Sequence, residues 1–219
     1  MISVVVPVLD EAVVLPSLLA SLGEVDEIVV VDGGSADATC AIAAAAGARV
    51  VRTARGRGAQ LQAGVVAARG DLLWFLHADT GVPAGAVAAL RAARAEWGCY
   101  AVEIGSADAR LRSTGAIMTL RARLTGSATG DMGVWARRGL VERVGGWPAL
   151  AAFEDLVFTD RLRALARWEV LTPRLTTSAR RWEARGITRT MARMMALRAA
   201  YRLGADPARL AEAYAGRPD

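Results

Sequence analysis

Five successive apolar residues, Leu72 to Leu76, separate Asp71 from His77, and this run constrains the fold of the chain more than any other feature. A run without polar alternation is typical of a strand buried on both faces in the middle of a parallel sheet. His77 and Asp79 then follow at its carboxyl end, where open α/β sheets bind their ligands. The run therefore predicts a crevice with a carboxylate at its mouth, suited to a divalent cation and the phosphates of a substrate.

The segment after this strand also has a plainer interpretation. Asp79, Thr80 and Gly81 are common turn residues, and Pro83 suits the first turn of a following helix. This stretch alone does not decide between a ligand-binding carboxylate and a simple turn, so the decision depends on the rest of the sequence.

Short apolar segments alternate with alanine-rich segments through the first half of the chain. This pattern predicts an α/β fold with a mostly parallel central sheet flanked by helices. The predicted strands are 2–7, 27–31, 48–52, 72–76, 100–104, 134–136 and 169–171. The predicted helices begin near Pro16, at Ser35 as N-cap with Asp37 in the first turn, and at 58, 111 and 154.

Composition limits the partners of the chain. Its net charge is +5, and all 27 basic residues are arginines. This balance favours an anionic partner, whether nucleotide, nucleic acid or lipid headgroup. Cys40 and Cys99 stand far apart, which indicates core residues and neither a zinc site nor a disulfide framework. No apolar run approaches the roughly 20 residues of a membrane span, and no signal peptide is recognisable, so we expect a cytoplasmic protein.

The last 40 residues are rich in arginine and are predicted to be helical. One helix face carries four apolar residues, Ile187, Met191, Met194 and Met195, and another carries Arg185, Arg189 and Arg193. We expect the methionine face to pack in the core. The alternative is an interfacial helix on the anionic inner face of a membrane.

Three further polar motifs could form a site, and each also has a structural interpretation. Asp32 ends the second predicted strand before Gly33-Gly34, where its carboxylate could accept hydrogen bonds from a base or ribose, or cap a turn. The segment 55–58, Arg-Gly-Arg-Gly, could bind an anion or form a solvated basic loop. At a helix start, Glu154-Asp155 could supply a general base or complement the helix dipole.

Taken together, these motifs resemble the family-2 inverting glycosyltransferases with the glycosyltransferase-A fold. The similar strings keep the order of the family and spread over about residues 2 to 165. They are V-P-V-L-D-E (6–11), V-D-G-G-S-A-D (31–37), R-G-R-G-A (55–59), Q-A-G (62–64), F-L-H-A-D (75–79) and E-D (154–155).

A bacterial subgroup of this family shows an even closer likeness. Its members are annotated beside radical-SAM and selenium-related proteins and are called arsenosugar-biosynthesis glycosyltransferases. The shared strings are H-A-D-T (77–80), G-D-x-G (130–133) and R-R-W (180–182). The name of the subgroup says little about the identity of the acceptor.

The resemblance implies a role for each matching residue. The donor would be a nucleotide-diphosphate sugar, UDP- or GDP-linked, bound by Pro7, Glu11, Asp32, Gly34, Arg55, Arg57, His77 and Ala78. Asp79, with His77 beside it, would bind Mn²⁺ or Mg²⁺. Asp155 would be the base that deprotonates an acceptor hydroxyl of unknown identity. The acceptor side would include Asp131, Glu154, Arg181 and Trp182.

Three departures from the family pattern affect these roles. His77 replaces the first aspartate of the D-x-D motif, which shifts the expected metal preference toward manganese. Gly33 replaces an aspartate, and Asp10 replaces an asparagine. Ser178 stands in place of the glutamine of the Q-x-x-R-W motif of processive synthases, so polymer synthesis is not inferred.

The resemblance also implies the domain organisation. Residues 1–178 would form the catalytic domain, with a nucleotide-binding half (1–97) and an acceptor half (98–178), and 179–219 a helical extension. We expect no nucleic-acid partner. Whether the extension contacts a membrane and whether the protein forms a homo-oligomer are left open. The alternatives are a nucleotidyltransferase, a basic nucleic-acid-binding module and a non-catalytic nucleotide-binding module.

Overall fold

A seven-stranded sheet organises the chain in the computed structural model, which describes residues 1–150 and 152–215. The strands are β1 (Ile2–Val8), β2 (Glu27–Asp32), β3 (Arg49–Arg52), β4 (Leu72–Phe75), β5 (Trp97–Gly105), β6 (Trp135–Arg137) and β7 (Trp168–Ser178). The helices are α1 (Leu15–Ser21), α2 (Thr39–Ala45), α3 (Arg57–Ala67), α4 (Ala86–Arg91), α5 (Ala109–Thr125), α6 (Arg138–Arg143), α7 (Glu154–Leu165), α8 (Arg180–Arg185), α9 (Ile187–Arg202) and α10 (Pro207–Ala215).

The strand order across the sheet is β3-β2-β1-β4-β6-β5-β7. β1 pairs in parallel with β2 and β4, β2 pairs in parallel with β3, and β5 pairs in parallel with β7. Only β6 runs antiparallel to its neighbours in this sheet, between β4 and β5. The predicted α/β fold with a mostly parallel sheet is confirmed. Because β1, β2 and β4 run in one direction, their carboxyl ends meet at one edge.

Strand β4 is buried on both faces, as the apolar run predicts. All four of its residues are buried, and Leu73 and Trp74 are fully inaccessible. Trp74 stacks on Tyr100 on one face of the sheet, with the ring centroids 5.2 Å apart. Phe75 belongs to the opposite face and makes an edge contact with Trp147 at 5.0 Å. Two cores therefore hold β4 in place, and the residues that follow it start from a fixed position.

The predicted start of the second helix at Ser35 is wrong. Helix α2 begins at Thr39, whose backbone N–H donates to Oδ1 of Asp37 at 2.9 Å. Ser35 is engaged elsewhere, because its Oγ accepts from the backbone N–H of Asp10 at 2.9 Å. In return, the backbone N–H of Ala36 donates to Oδ1 of Asp10 at 2.8 Å. Ser35 thus joins the loops after β1 and β2, a tertiary contact that a local capping pattern cannot reveal.

Strand β7 is much longer than the predicted segment 169–171. The sequence Thr172-Pro173 indicates a break, because proline cannot donate to a ladder. The pairing with β5 shifts register between Tyr100 and Val102, and it continues from Leu175 to Ser178. This irregularity accommodates the proline, and β7 reaches the sheet edge where β1 and β4 end.

The C-terminal helices pack back onto the start of α7. Leu210 and Ala211 of α10 are buried in a cluster with Phe153 and Leu156. The expected core packing of the methionine face is wrong, since α9 contains no fully buried residue and Met195 is 68% exposed. Within residues 1–150 and 152–215, the structure contains no helix long and apolar enough to cross a membrane.

We predict that Gly64→Ala destabilises the fold, because α3 lies very close to β1. A Cβ atom at Gly64 would lie 2.2 Å from Cγ1 of Val5 and 3.2 Å from Cγ2 of Val31. Overpacking of this kind lowers the free energy of unfolding by about 1–3 kcal/mol. The matched control is Gly139→Ala in α6, where a Cβ would meet no atom within 4 Å. Urea denaturation measures both, and equal stability of the two variants would contradict the close contact.

Candidate active site

A cavity of about 420 Å³ opens at the carboxyl edge of the sheet. Glu11 follows β1, and His77 and Asp79 follow β4. These three side chains line the cavity together with Asp131, which lies in a short 3₁₀ turn (Gly130–Met132) before β6. We call this space the strand-end cavity. The structure therefore brings together four residues that the sequence motifs had singled out separately.

Arg180 of α8 reaches across the strand-end cavity to two carboxylates. Its Nη2 atom lies 3.5 Å from Oδ2 of Asp79 and 3.9 Å from Oε2 of Glu11. Burial, and next the charge of Asp79, raises the pKa of Glu11 above its ordinary value. The two carboxylates therefore repel each other, and a cation between them relieves the repulsion. Arg180 supplies that cation, and the same location suits a divalent ion.

His77 contacts Asp131 in the strand-end cavity. Its Nδ1 atom lies 3.4 Å from Oδ1 of Asp131, which also accepts a hydrogen bond from Oγ1 of Thr177 at 3.3 Å. The other ring nitrogen faces Gly130, where a Cβ atom would lie only 2.5 Å from Nε2 of His77. A glycine is therefore required at position 130 for the imidazole to pack as it does.

Asp155 lines a second cavity of about 210 Å³ that adjoins the first. We call it the Asp155 cavity, and His77, Asp131, Met194 and Tyr214 line both spaces. Oδ2 of Asp155 accepts from the backbone N–H of Gly130 at 2.9 Å, and Oδ1 accepts from that of Leu156 at 2.8 Å. The carboxylate is thus oriented from two sides at the first turn of α7.

The residue before α7 has an unusual backbone. Phe153 has a φ of 63°, a left-handed conformation that costs a non-glycine residue about 1–3 kcal/mol. Its side chain is 6% exposed, and its ring makes an edge contact with the ring of Tyr214 at 6.3 Å between centroids. Packing by α10 therefore offsets the strain, and the sharp turn starts α7 with Asp155 directed into its cavity.

Glu154 forms a buried ion pair with Arg57 of α3. The Glu154 residue is fully inaccessible, and its Oε2 atom has no hydrogen-bond partner among the residues that the structure describes. Burial raises the pKa of Glu154, while Arg57 opposes that shift. The charges of Glu154 and Asp155 raise the pKa of Arg57, against the effect of burial. Glu154 therefore joins α3 to α7, and its side chain is not exposed to solvent.

Asp32 is also turned into the protein, at 2% exposure. Its Oδ1 atom accepts from the backbone N–H of Ser35 at 2.9 Å, and the carboxylate also accepts from the Cys40 thiol. Burial would raise the pKa of Asp32, but the hydrogen bonds from Ser35 and Cys40 outweigh it and hold the pKa below its ordinary value. The carboxylate supports the loop after β2 in this arrangement.

The remaining predicted donor-side residues do not line the strand-end cavity. Pro7 is half-buried within β1, where it lies beyond the last β1–β4 pair and so costs no ladder bond there. Gly34 and Arg55 are exposed on loops. Ala78 is buried and, with Asp79, lines a neighbouring depression of about 510 Å³.

Of the two predicted acceptor-side residues in α8, Trp182 lines the strand-end cavity. The side chain of Arg181 lies outside the described part of the structure. Sequence reasoning missed Arg180 as a site residue although the R-R-W string contains it. It also missed Tyr214, which enters the site from α10 and belongs to no motif.

The acidic residues do not form a closed metal cage. Among the described residues, no group of three or more His, Cys, Asp or Glu side chains is placed to hold an ion. Asp79 nevertheless faces an open cavity beside Glu11. Mg²⁺ and similar ions are often held by one or two carboxylates together with substrate phosphates, and the donor set here fits that mode of binding.

Comparison with known sequences places the motifs in one family. Residues 3–142 match the sequence profile of Glycosyl transferase family 2. The chain is 40% identical over 92 residues to glucosyl-3-phosphoglycerate synthase of Mycolicibacterium paratuberculosis, covering 36% of this chain and 28% of the relative. It is 39% identical over 85 residues to an uncharacterized glycosyltransferase of Mycobacterium bovis, covering 38% of this chain and 39% of the relative. The match therefore spans well under half the length of either relative.

Two solved structures share the fold. The crystal structure of S. aureus TarS 1-349 in complex with UDP superimposes with a TM-score of 0.66 at 21% identity, covering 81% of this chain and 60% of that chain. Glucosyl-3-phosphoglycerate synthase from Mycobacterium tuberculosis, in complex with Mn²⁺, UDP and glucosyl-3-phosphoglycerate, superimposes with a TM-score of 0.58 at 24% identity, covering 81% and 70%. The expected glycosyltransferase-A fold is confirmed, and at these identities the likeness concerns the fold alone.

We predict that Arg57→Met destabilises the protein and makes its stability depend on pH. The variant leaves Glu154 buried without a cation, which costs about 3–5 kcal/mol. The folded-state pKa of Glu154 would then rise further above its unfolded value. The stability is consequently retained at a pH below the unfolded pKa and is lost as the pH rises through the folded pKa. Urea denaturation from pH 4 to pH 8 measures this trend.

The exposed neighbour provides the control for this experiment. Arg55→Met removes the same charge two residues earlier, on the loop before α3, without uncovering a buried carboxylate. We expect its stability and pH dependence to match those of the unmodified protein. If Arg57→Met behaves like Arg55→Met, the buried ion pair does not hold the two helices together.

Proposed function

Because the chain belongs to glycosyl transferase family 2, we propose that it transfers a sugar from a nucleotide-diphosphate sugar to an acceptor hydroxyl, with inversion at the anomeric carbon. One observation carries this proposal: the strand-end cavity and the Asp155 cavity adjoin and share His77 and Asp131. A donor in the first cavity would thus present its sugar toward Asp155 in the second. A single base opposite the leaving group is what an inverting transfer needs.

The strand-end cavity would hold the diphosphate of the donor. Asp79 and Glu11 would hold Mn²⁺ or Mg²⁺ there, and the ion would stabilise the negative charge that develops on the leaving group. Arg180 already lies beside these carboxylates and can turn to a phosphate oxygen. UDP is the nucleotide of choice for a first test, because both similar structures were solved with it.

The transfer itself requires one bond to form and one to break. The acceptor oxygen attacks the anomeric carbon, and its proton moves to the Asp155 carboxylate. The bond between that carbon and the diphosphate oxygen breaks, and the electron pair leaves with the nucleoside diphosphate. Asp155 supports this role by its position, since backbone N–H donors from Gly130 and Leu156 fix both of its oxygens.

The finer assignments belong to this proposal as well. The strings at 77–80, 130–133 and 180–182 support membership of the arsenosugar-biosynthesis-type subgroup. Residues 1–97 would form the nucleotide-binding half, 98–178 the acceptor half, and 179–219 a helical extension. Contact of the extension with a membrane and self-association stay predictions.

We predict that Asp79→Asn weakens the binding of UDP in the presence of Mn²⁺ by at least tenfold. The amide cannot replace the carboxylate charge beside the ion. Isothermal titration with UDP, with and without Mn²⁺, measures the effect. The matched control is Asp71→Asn at the opposite end of β4, where the carboxylate is 85% exposed. Undiminished metal-dependent binding by Asp79→Asn would contradict the assignment.

We predict that Asp155→Asn abolishes turnover and leaves UDP binding within about twofold of the unmodified protein. The amide oxygen can keep the hydrogen bond from Gly130 or the one from Leu156, which holds the side chain in place, but the amide cannot take a proton from the acceptor. Release of UDP from a panel of UDP-sugars and acceptors measures turnover, and titration measures binding. Turnover that persists in this variant would assign the base elsewhere, and release of pyrophosphate from a nucleoside triphosphate would indicate a nucleotidyltransferase.

A further inference from the structure

A large groove beside the Asp155 cavity has no role in the donor chemistry. It measures about 640 Å³ and lies between α5 and α9. We call it the methionine groove, since its walls include Met118, Met191, Met194 and Met195. It shares Thr129, Asp131, Met194 and Arg198 with the Asp155 cavity. A molecule in the groove can therefore extend to the proposed base.

Two arginines in the methionine groove lack a carboxylate partner. In the part of the chain that the structure describes, neither Arg121 nor Arg198 forms an ion pair, whereas Arg163 and Arg202 in the same groove both pair with Asp160. Arg121 donates through Nε to the carbonyl of Ser127 at 3.2 Å, and its buried Nη2 atom has no partner. Both side chains are half-buried, and a partly desolvated cation without an anion is costly, so the groove is electrostatically incomplete.

The electrostatics of these arginines agree with that conclusion. Burial, and next the charge of Arg198, lowers the pKa of Arg121 to about 10. Burial also lowers the pKa of Arg198. A guanidinium stays protonated at neutral pH, and each of these two lies within electrostatic reach of Asp155. An anion bound between them would restore both pKa values toward their ordinary range.

Thr129 adds an independent sign of a missing ligand. The residue is 8% exposed, and its Oγ1 atom is buried without a hydrogen-bond partner among the described residues. It lines the groove and the Asp155 cavity at their junction. A buried hydroxyl is normally satisfied, so this one is available to a bound molecule.

We propose that the methionine groove binds the acceptor, and that this acceptor is a single-chain amphiphile whose polar end carries an anionic group and the hydroxyl that receives the sugar, and whose other end is an apolar chain. The anionic group lies against Arg121, Arg198 and Thr129, and the chain lies along the methionines. The exposed groove residues Ile117 and Met195, at 60% and 68%, receive the far end of the chain. The acceptor enters as a dissolved monomer, because charge complementarity requires its anionic end to reach the inner end of the groove. That the bound amphiphile is the acceptor rests on the proposed sugar transfer, whereas its binding in the groove does not.

Titration with alkyl phosphates tests the groove. We expect octyl phosphate, below its micelle concentration, to bind at least tenfold more tightly than butyl phosphate, inorganic phosphate or octanol. Arg121→Gln and Arg198→Gln should each weaken that binding at least tenfold. Arg123→Gln, an exposed arginine on the same helix, should leave it unchanged. The unfolding transition of every variant is measured alongside.

A second pair of variants remains informative if Arg121→Gln fails to fold. Ile117→Ser, at the exposed rim of the groove, should weaken the binding of octyl phosphate and leave the binding of inorganic phosphate unchanged. Leu124→Ser, 71% exposed on the same helix and outside the groove, should affect neither. Octyl phosphate that binds no better than inorganic phosphate, or equally well to all variants, overturns the proposal. Binding to anionic vesicles without binding to the monomer also overturns it.

The two proposals fail separately in these experiments. If octyl phosphate binds as expected but no nucleotide sugar binds or reacts, the groove is a genuine site and the sugar transfer is wrong. If UDP and Mn²⁺ bind as expected and Asp79→Asn abolishes that binding, but the alkyl phosphates do not discriminate, the transfer stands and the amphiphilic acceptor is wrong. Octyl phosphate binding by Asp79→Asn should equal that of the unmodified protein.

Discussion

The buried ion pair between Arg57 and Glu154 is the interaction on which the rest of the site depends. It connects the start of α3, in the first half of the sheet, to the start of α7 in the second. A buried charge is tolerated only when it is paired. If either helix shifted, the Glu154 carboxylate would lose its cation, and the desolvation cost of that buried charge would no longer be offset. Asp155 is the next residue along α7, and its position relative to β4 is therefore set by an ion pair whose carboxylate is buried and whose guanidinium is 31% exposed.

Three spaces meet around this fixed point. The strand-end cavity, the Asp155 cavity and the methionine groove all include Asp131 and Met194 in their walls. Asp131 accepts a hydrogen bond from Thr177 of β7 and contacts His77, which follows β4. These two polar contacts fix Asp131 where the three spaces meet. A donor on one side and an acceptor on the other would approach Asp155 along separate paths. This geometry gives a physical basis for a two-substrate reaction in a small domain.

Local patterns predicted the sheet well, because each strand of the first half is bounded by residues with strong local preferences. The apolar run at 72–76 favoured an inner strand, and such a strand places the polar residues after it at the sheet edge. The patterns failed where a distant partner decides the outcome. Ser35 has the chemistry of a helix cap but binds the loop of Asp10, and Pro173 looks like the end of a strand that in fact continues past it.

The site residues were likewise predictable where a local motif marked them and not where a distant contact decides. Motifs indicated Glu11, Asp79 and Asp155, whereas the orphaned hydroxyl of Thr129 and the contact of Arg180 with Asp79 emerge only from the folded chain.

The position of Tyr214 has a consequence for how the protein matures. Its ring packs against Phe153, and it lines both cavities that would hold the reacting groups. During synthesis the sheet can form before α9 and α10 leave the ribosome, since its seven strands all precede residue 179. At that stage the Asp155 cavity would be open to solvent, because Met194, Arg198 and Tyr214 would not yet line it. A nascent chain would thus have a folded sheet before it has a closed Asp155 cavity, and α10 would close that cavity when it packs against Phe153.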